Sequence, residues 1–105
     1  MIVRILTATV KTERAGSFNA LLRTQVPLLK EQPGLRYVKL ARRTRSGDEE
    51  VLLIEEWRDA ASLYAWVGPE LSRARLLPGA EELVADLRIA HYEALDLTPE
   101  EAADD

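Results

Sequence analysis

Residues 51–69, VLLIEEWRDAASLYAWVGP, restrict what the chain around them can become. Val51, Leu52, Leu53 and Ile54 are a short apolar run of strand formers. Five residues later the period changes. Asp59 is a helix-capping residue, Ala60, Leu63, Trp66 and Val67 fall at helical spacing, and Gly68-Pro69 ends the pattern. Both tryptophans, Trp57 and Trp66, lie inside the stretch. A strand that leaves directly into a helix bearing large aromatics can build one wall of a pocket.

The flanking sequence supplies partners for this unit. Ile2–Lys11 is β-branched and apolar and reads as a strand with two half-buried faces, Val3, Ile5, Thr7 and Thr9 on one side and Ile2, Arg4, Leu6, Ala8 and Val10 on the other. Residues 12–31 read as a helix capped by Thr12, with Phe18, Leu21, Leu22, Val26 and Leu29 as its apolar stripe. Pro27 predicts a kink, or a break with a restart at Leu28. Pro33-Gly34 forces a turn. Residues 35–43 read as a second strand, with Leu35, Tyr37 and Ala41 on one side and Val38 and Leu40 on the other. Arg45-Ser46-Gly47-Asp48 makes a hairpin turn into a third strand at 50–57. After the helix at 59–67, a second short helix starts at Pro69, Pro78-Gly79 interrupts, and residues 87–95 form the fourth strand.

The order is β-α-β-β-α-β, the ferredoxin-like α+β pattern, whose natural form is a four-stranded antiparallel sheet with both helices on one face. Every strand carries apolar residues on both faces, so the uncovered face predicts a homodimer joined sheet to sheet.

Composition removes whole classes of function. The chain has 105 residues and no cysteine, so it is one domain without disulfide or thiolate chemistry. One histidine makes a protein-only metal site improbable. Net charge is −4, but four acids, Glu100, Glu101, Asp104 and Asp105, sit at the end. Residues 1–98 hold 14 acids and 14 bases, which is not the basic excess of a nucleic-acid binder. Residues 1–97 are expected to form the domain and 98–105 an acidic, flexible tail. No apolar run approaches the roughly 20 residues of a membrane span, and the amino end lacks a cleavage site; both predict a cytoplasmic protein.

The chain resembles the antibiotic biosynthesis monooxygenase domain family of the dimeric α+β barrel superfamily. The matching features are the apolar first strand, the Gln32-Pro33-Gly34 turn, Glu56-Trp57 closing the third strand, the helix carrying Trp66, and Gly68-Pro69. The resemblance covers residues 1–96 and implies a dimeric α+β barrel. Haem-degrading members of the family carry an asparagine on the first strand, a tryptophan on the second helix and a haem-ligating histidine just after it. Trp66 matches the tryptophan, but Leu6 and Ala74 stand at the other two positions, so haem degradation of that type is not expected. What the resemblance then implies is cofactor-independent oxygenation of a phenol or quinol. Such a reaction needs a dry apolar pocket, a base or hydrogen-bond partner for the anion, and flat side chains to orient the ring.

Two residues are candidates for catalysis. Trp66 lines a pocket between helix and sheet or packs in the core. His91 is the natural proton shuttle, with Glu93 two residues on to orient it, or else a strand histidine satisfied within the fold. Tyr37, Tyr64 and Tyr92, with Trp66, are the candidate substrate-binding aromatics, each equally an ordinary packing residue. Arg42, Arg43 and Arg45 cluster at the hairpin, and Arg73 and Arg75 flank Ala74. Neither a phosphate-binding glycine motif nor a nucleophile elbow is present. Two readings remain open: a cofactor-free monooxygenase, and a non-catalytic dimeric module of the same fold that binds a small aromatic or serves as an assembly unit.

Overall fold

The computed structural model describes residues 1–70 and 79–95. Four strands form one antiparallel sheet in the order β2-β3-β1-β4, with β1 at Ile2–Lys11, β2 at Leu35–Arg45, β3 at Asp48–Trp57 and β4 at Val84–Glu93. Helices α1, Thr12–Lys30, and α2, Ala60–Val67, complete the β-α-β-β-α-β order. The ferredoxin-like α+β expectation holds.

Alternation sorts the sheet into two faces. Arg4, Leu6, Ala8 and Val10 of β1, with Glu49, Val51, Leu53, Glu55 and Trp57 of β3, are buried. Phe18, Leu22 and Leu29 of α1 and Leu63, Trp66 and Val67 of α2 join them in one core. Burial of each such large apolar side chain contributes about 1.5–3 kcal/mol. Val3, Ile5, Thr7, Leu52 and Ile54 occupy the opposite face and are only half-buried.

Several local expectations change. Thr12 does not cap α1: Lys11 holds that position without a side-chain bond, and the Thr12 hydroxyl donates to the Gly47 carbonyl at 2.6 Å, tying α1 to the β2–β3 hairpin. The α1 helix runs unbroken through Pro27, which lies on the exposed side, so the break with a restart at Leu28 does not occur. Gln25, not Val26, takes the fully buried stripe position. A register shift between Leu35 and Tyr37 pairs Leu35 with Trp57, so Leu35 packs on the core side with Val38 and Leu40 rather than beside Tyr37.

The hairpin turn is set by Ser46 and Gly47, both at positive φ (40° and 83°), as a two-residue type I′ turn requires. Strand β4 begins three residues before the expected position, after a single 3-10 turn at Glu81–Leu83. Pro69 and Glu70, where a second short helix is expected to start, are not helical, and the rest of that segment, with Arg73, Ala74 and Arg75, and the acidic tail lie outside the described residues.

Candidate functional site

Helix α2 decides where a cleft can form. Asp59 caps it, its carboxylate accepting the Ser62 N–H at 2.8 Å, and Gly68 at φ 83° closes it with an N–H to the Tyr64 carbonyl at 2.8 Å. The same entry is clamped from the other side, where Arg58 N–H donates to the Gly34 carbonyl at 2.7 Å. The helix is thereby fixed over the sheet with Leu63, Trp66 and Val67 inward. Its amino-terminal half stands off from the edge strand β4.

Between them lies an open groove of about 560 Å³. Its helix wall is Arg58, Asp59, Ala60, Leu63 and Tyr64. Its sheet wall is Met1 and Ile2, then His91, Tyr92 and Glu93 from the end of β4. The lining mixes apolar surface with two phenols, an imidazole and three charges, a composition suited to a small aromatic carrying polar groups.

His91 is held from behind. Its Nε2 lies 2.9 Å from an Arg4 Nη1. Arg4 sits directly between Glu55 and His91 in the register of β3, β1 and β4. Arg4 is 2% and Glu55 3% exposed. Glu55 also accepts the Trp57 indole N–H at 2.8 Å, which satisfies that buried donor. Burial pushes the Glu55 carboxyl pKa up, opposed by the Trp57 hydrogen bond and by Arg4. Burial lowers the Arg4 pKa, opposed by Glu55. His91 is pushed below the usual imidazole range by partial burial and by the neighbouring Arg4 charge. The imidazole is therefore neutral at pH 7.

The expected site residues do not share one wall. His91, Tyr64 and Tyr92 border the groove. Trp66 is in the core at 6% exposure and does not line it. Tyr37 falls on the other face of the sheet, beside Glu56 of β3, and is exposed. The partner that orients His91 is Arg4 rather than Glu93. Arg4 and Glu55, which stand behind His91 in register, are not among the residues expected at the site. The signal for them was their phase: each is a charged residue at a position where its strand alternates with buried apolar ones.

Of the positions that the resemblance compares with haem-degrading proteins, Leu6 and Trp66 are described and position 74 lies outside the described residues. Leu6 is core, and the chain's single histidine has its Nε2 engaged by Arg4. Among the described residues, no group of three His, Cys, Asp or Glu side chains is placed to hold a metal ion. No helix among them is long and apolar enough to cross a membrane.

The profile of the antibiotic biosynthesis monooxygenase family matches residues 1–74. This chain belongs to that family. Several solved structures share the antibiotic biosynthesis monooxygenase fold seen here. A crystal structure of an antibiotic biosynthesis monooxygenase is 23% identical, covers 91% of this chain and 100% of its own, and superimposes with a TM-score of 0.73. PA3566 from Pseudomonas aeruginosa is 24% identical over 90% of this chain and 94% of its own, at a TM-score of 0.71. A MhuD mutant with two manganese protoporphyrin IX molecules bound per active site is 17% identical over 93% and 99%, at 0.67. Identities this low establish the fold alone. Comparison with functionally curated proteins returned no match.

Proposed function

We propose that the protein is a cofactor-independent monooxygenase that oxidises a small phenol or quinol in the groove between α2 and β4. The observation that carries this reading is His91 at the groove wall with Arg4 against its Nε2. A phenol loses its proton more readily where a donor receives the oxyanion, and an electron-rich phenolate reduces dioxygen by one electron without a metal or flavin. Recombination of the resulting phenoxyl radical, at a ring carbon that carries its spin, with superoxide forms a C–O bond. Loss of water from the resulting peroxide leaves a quinone, with one oxygen atom in the product and the other in water. Both reducing equivalents come from the substrate. Tyr64 offers a flat surface and a hydroxyl on the helix wall to orient the ring, while Tyr92, in register with Val3, borders the groove from the strand whose side chain there alternates to the other face. Turnover under labelled dioxygen tests the reaction: one labelled atom per quinone supports it, and label confined to hydrogen peroxide contradicts it.

A second reading, a dimeric module that binds an aromatic without turning it over, is favoured by one feature. The His91 Nε2 is already engaged, so the imidazole has no free basic nitrogen while the contact holds. The same labelling experiment, run beside ligand binding, separates the two.

The sheet face opposite the helices supports a homodimer. Ile5 pairs with Ile54 and Thr7 with Leu52 at its centre, all half-buried within a single chain, while Arg43 and Glu50 form an ion pair at 2.9 Å toward one end. An apolar centre with a charged margin is the arrangement of an interface core and rim. A second copy would cover it and shield both sheets from water.

A further inference from the structure

An arginine donates hydrogen bonds and accepts none. At 2.9 Å from Arg4 Nη1, the His91 Nε2 must therefore be the acceptor and carry no proton. A neutral imidazole then bears its proton on Nδ1. Free histidine in water favours the opposite form, so Arg4 is selecting a tautomer. The selection is itself supported. Glu55 lies beside Arg4 in register on β3, and the Trp57 indole holds the Glu55 carboxylate at 2.8 Å. Three strands thus contribute to one row, Glu55, Arg4 and His91, that ends at the groove.

We propose that Arg4 is a positioning residue that locks His91 in its Nδ1–H form, so that His91 meets a groove ligand as a hydrogen-bond donor and selects ligands bearing a phenolate oxygen. This deepens the reading of the groove as the substrate site and rests on it. It also assigns the imidazole a role other than base: His91 stabilises the oxyanion, and the phenolic proton leaves to solvent through the open groove. Arg4 is the charged group against the imidazole, with Glu55 beyond it on β3, and the charged and titratable groups that share the groove lining with His91 include Glu93 of β4 and Arg58, Asp59 and Tyr64 of the helix wall. Arg58 offsets Asp59, with an Nε to carboxylate distance of 3.3 Å.

Nitrogen-15 long-range NMR on the full chain, without ligand, tests the lock. The expected spectrum shows a protonated Nδ1 and an unprotonated Nε2 for His91. The double variant Arg4→Met with Glu55→Gln, which removes both buried charges together, is expected to shift the population toward the Nε2–H form. A wild-type spectrum with the proton on Nε2 overturns the proposal whether or not any variant folds. Titration of 4-nitrophenol below its own pKa tests the consequence. Wild type is expected to bind it as the coloured phenolate, and the double variant to lose about tenfold in phenolate affinity, the scale of one charged hydrogen bond. The uncharged probe 4-nitroanisole is expected to bind both proteins alike. Equal phenolate affinity in a variant whose tautomer has changed overturns the selection. Binding of neither probe to wild type overturns the groove reading, while the NMR result still decides the lock.

Discussion

Arg4 on β1 and Glu55 on β3 face each other in register across the centre of the sheet, both almost wholly removed from solvent. Burial acts against the charged form of each, and for each it outweighs the attraction of the partner. A pair of this kind adds little to stability as a unit, yet removing one member strands the other. Arg4→Met alone is expected to lose about 3–5 kcal/mol. Adding Glu55→Gln, which preserves an acceptor for Trp57, should restore most of it. Urea unfolding of the four proteins gives the coupling directly; additive losses would contradict the pairing.

The Glu55 carboxyl also leaves a pH signature. Its folded-state pKa is raised above the ordinary 4.5. The folded protein therefore binds that proton more tightly than the unfolded chain does. The contribution is full below the unfolded value and is lost as pH rises through the folded one. Stability of wild type relative to Glu55→Gln is expected to fall as pH is raised from about 4.5 upward. Urea midpoints measured across that range check it, and a relative stability that rises instead would contradict the raised pKa.

Gly34 has no room for a side chain. It sits at φ 89°, and a Cβ placed there would overlap the Ser62 side chain. Gly34→Ala should lose about 2–4 kcal/mol, from left-handed strain together with overpacking. Ser62→Gly added to it should recover the overpacking share only. Because the Gly34 carbonyl receives Arg58 at the entrance to α2, the single variant should also weaken ligand binding in the groove. Thermal unfolding and probe titration of the same samples measure both effects.

Much of this was legible in the sequence, and the limits have physical causes. The change of period between Ile54 and Ala60, with Asp59 and Gly68 as stops, specified a strand and a helix that the structure contains. The two-faced alternation of β1 likewise placed Arg4 with Leu6, Ala8 and Val10. Alternation within one strand cannot say which residues stand opposite in the next. The Glu55, Arg4 and His91 row is a product of register, and a one-residue slip would have dispersed it. The bulge that turns Leu35 inward is a register effect of the same kind. Trp66 had the spacing of a buried stripe and the chemistry of a pocket wall; packing against the core settled where it lies.

Trp66 should accordingly act through the fold. Trp66→Ala is expected to lose about 3–5 kcal/mol, as large aromatic truncations in cores do. Trp66→Phe should keep groove binding close to wild type. A Trp66→Phe protein of unchanged stability that no longer binds the probe would place the indole in the site after all.

The open sheet face gives a prediction about assembly. Ile54→Arg puts a charge opposite Ile5, at the centre of the proposed interface. Light scattering at micromolar concentration should find a dimer for wild type and a monomer for the variant, both folded by circular dichroism. A wild-type monomer would remove the dimer, and a dimeric variant would move the interface elsewhere.

The central claim, that the groove holding His91 is where a phenol meets dioxygen, is tested most directly by oxygen uptake with naphthoquinol and anthrone substrates in wild type and His91→Ala. Wild type is expected to consume oxygen above the background autoxidation rate. The variant should fall by about 10²–10³-fold in kcat/KM, the loss typical of a removed oxyanion donor. Uptake at the background rate with every substrate, or an unchanged rate in His91→Ala, would contradict the account.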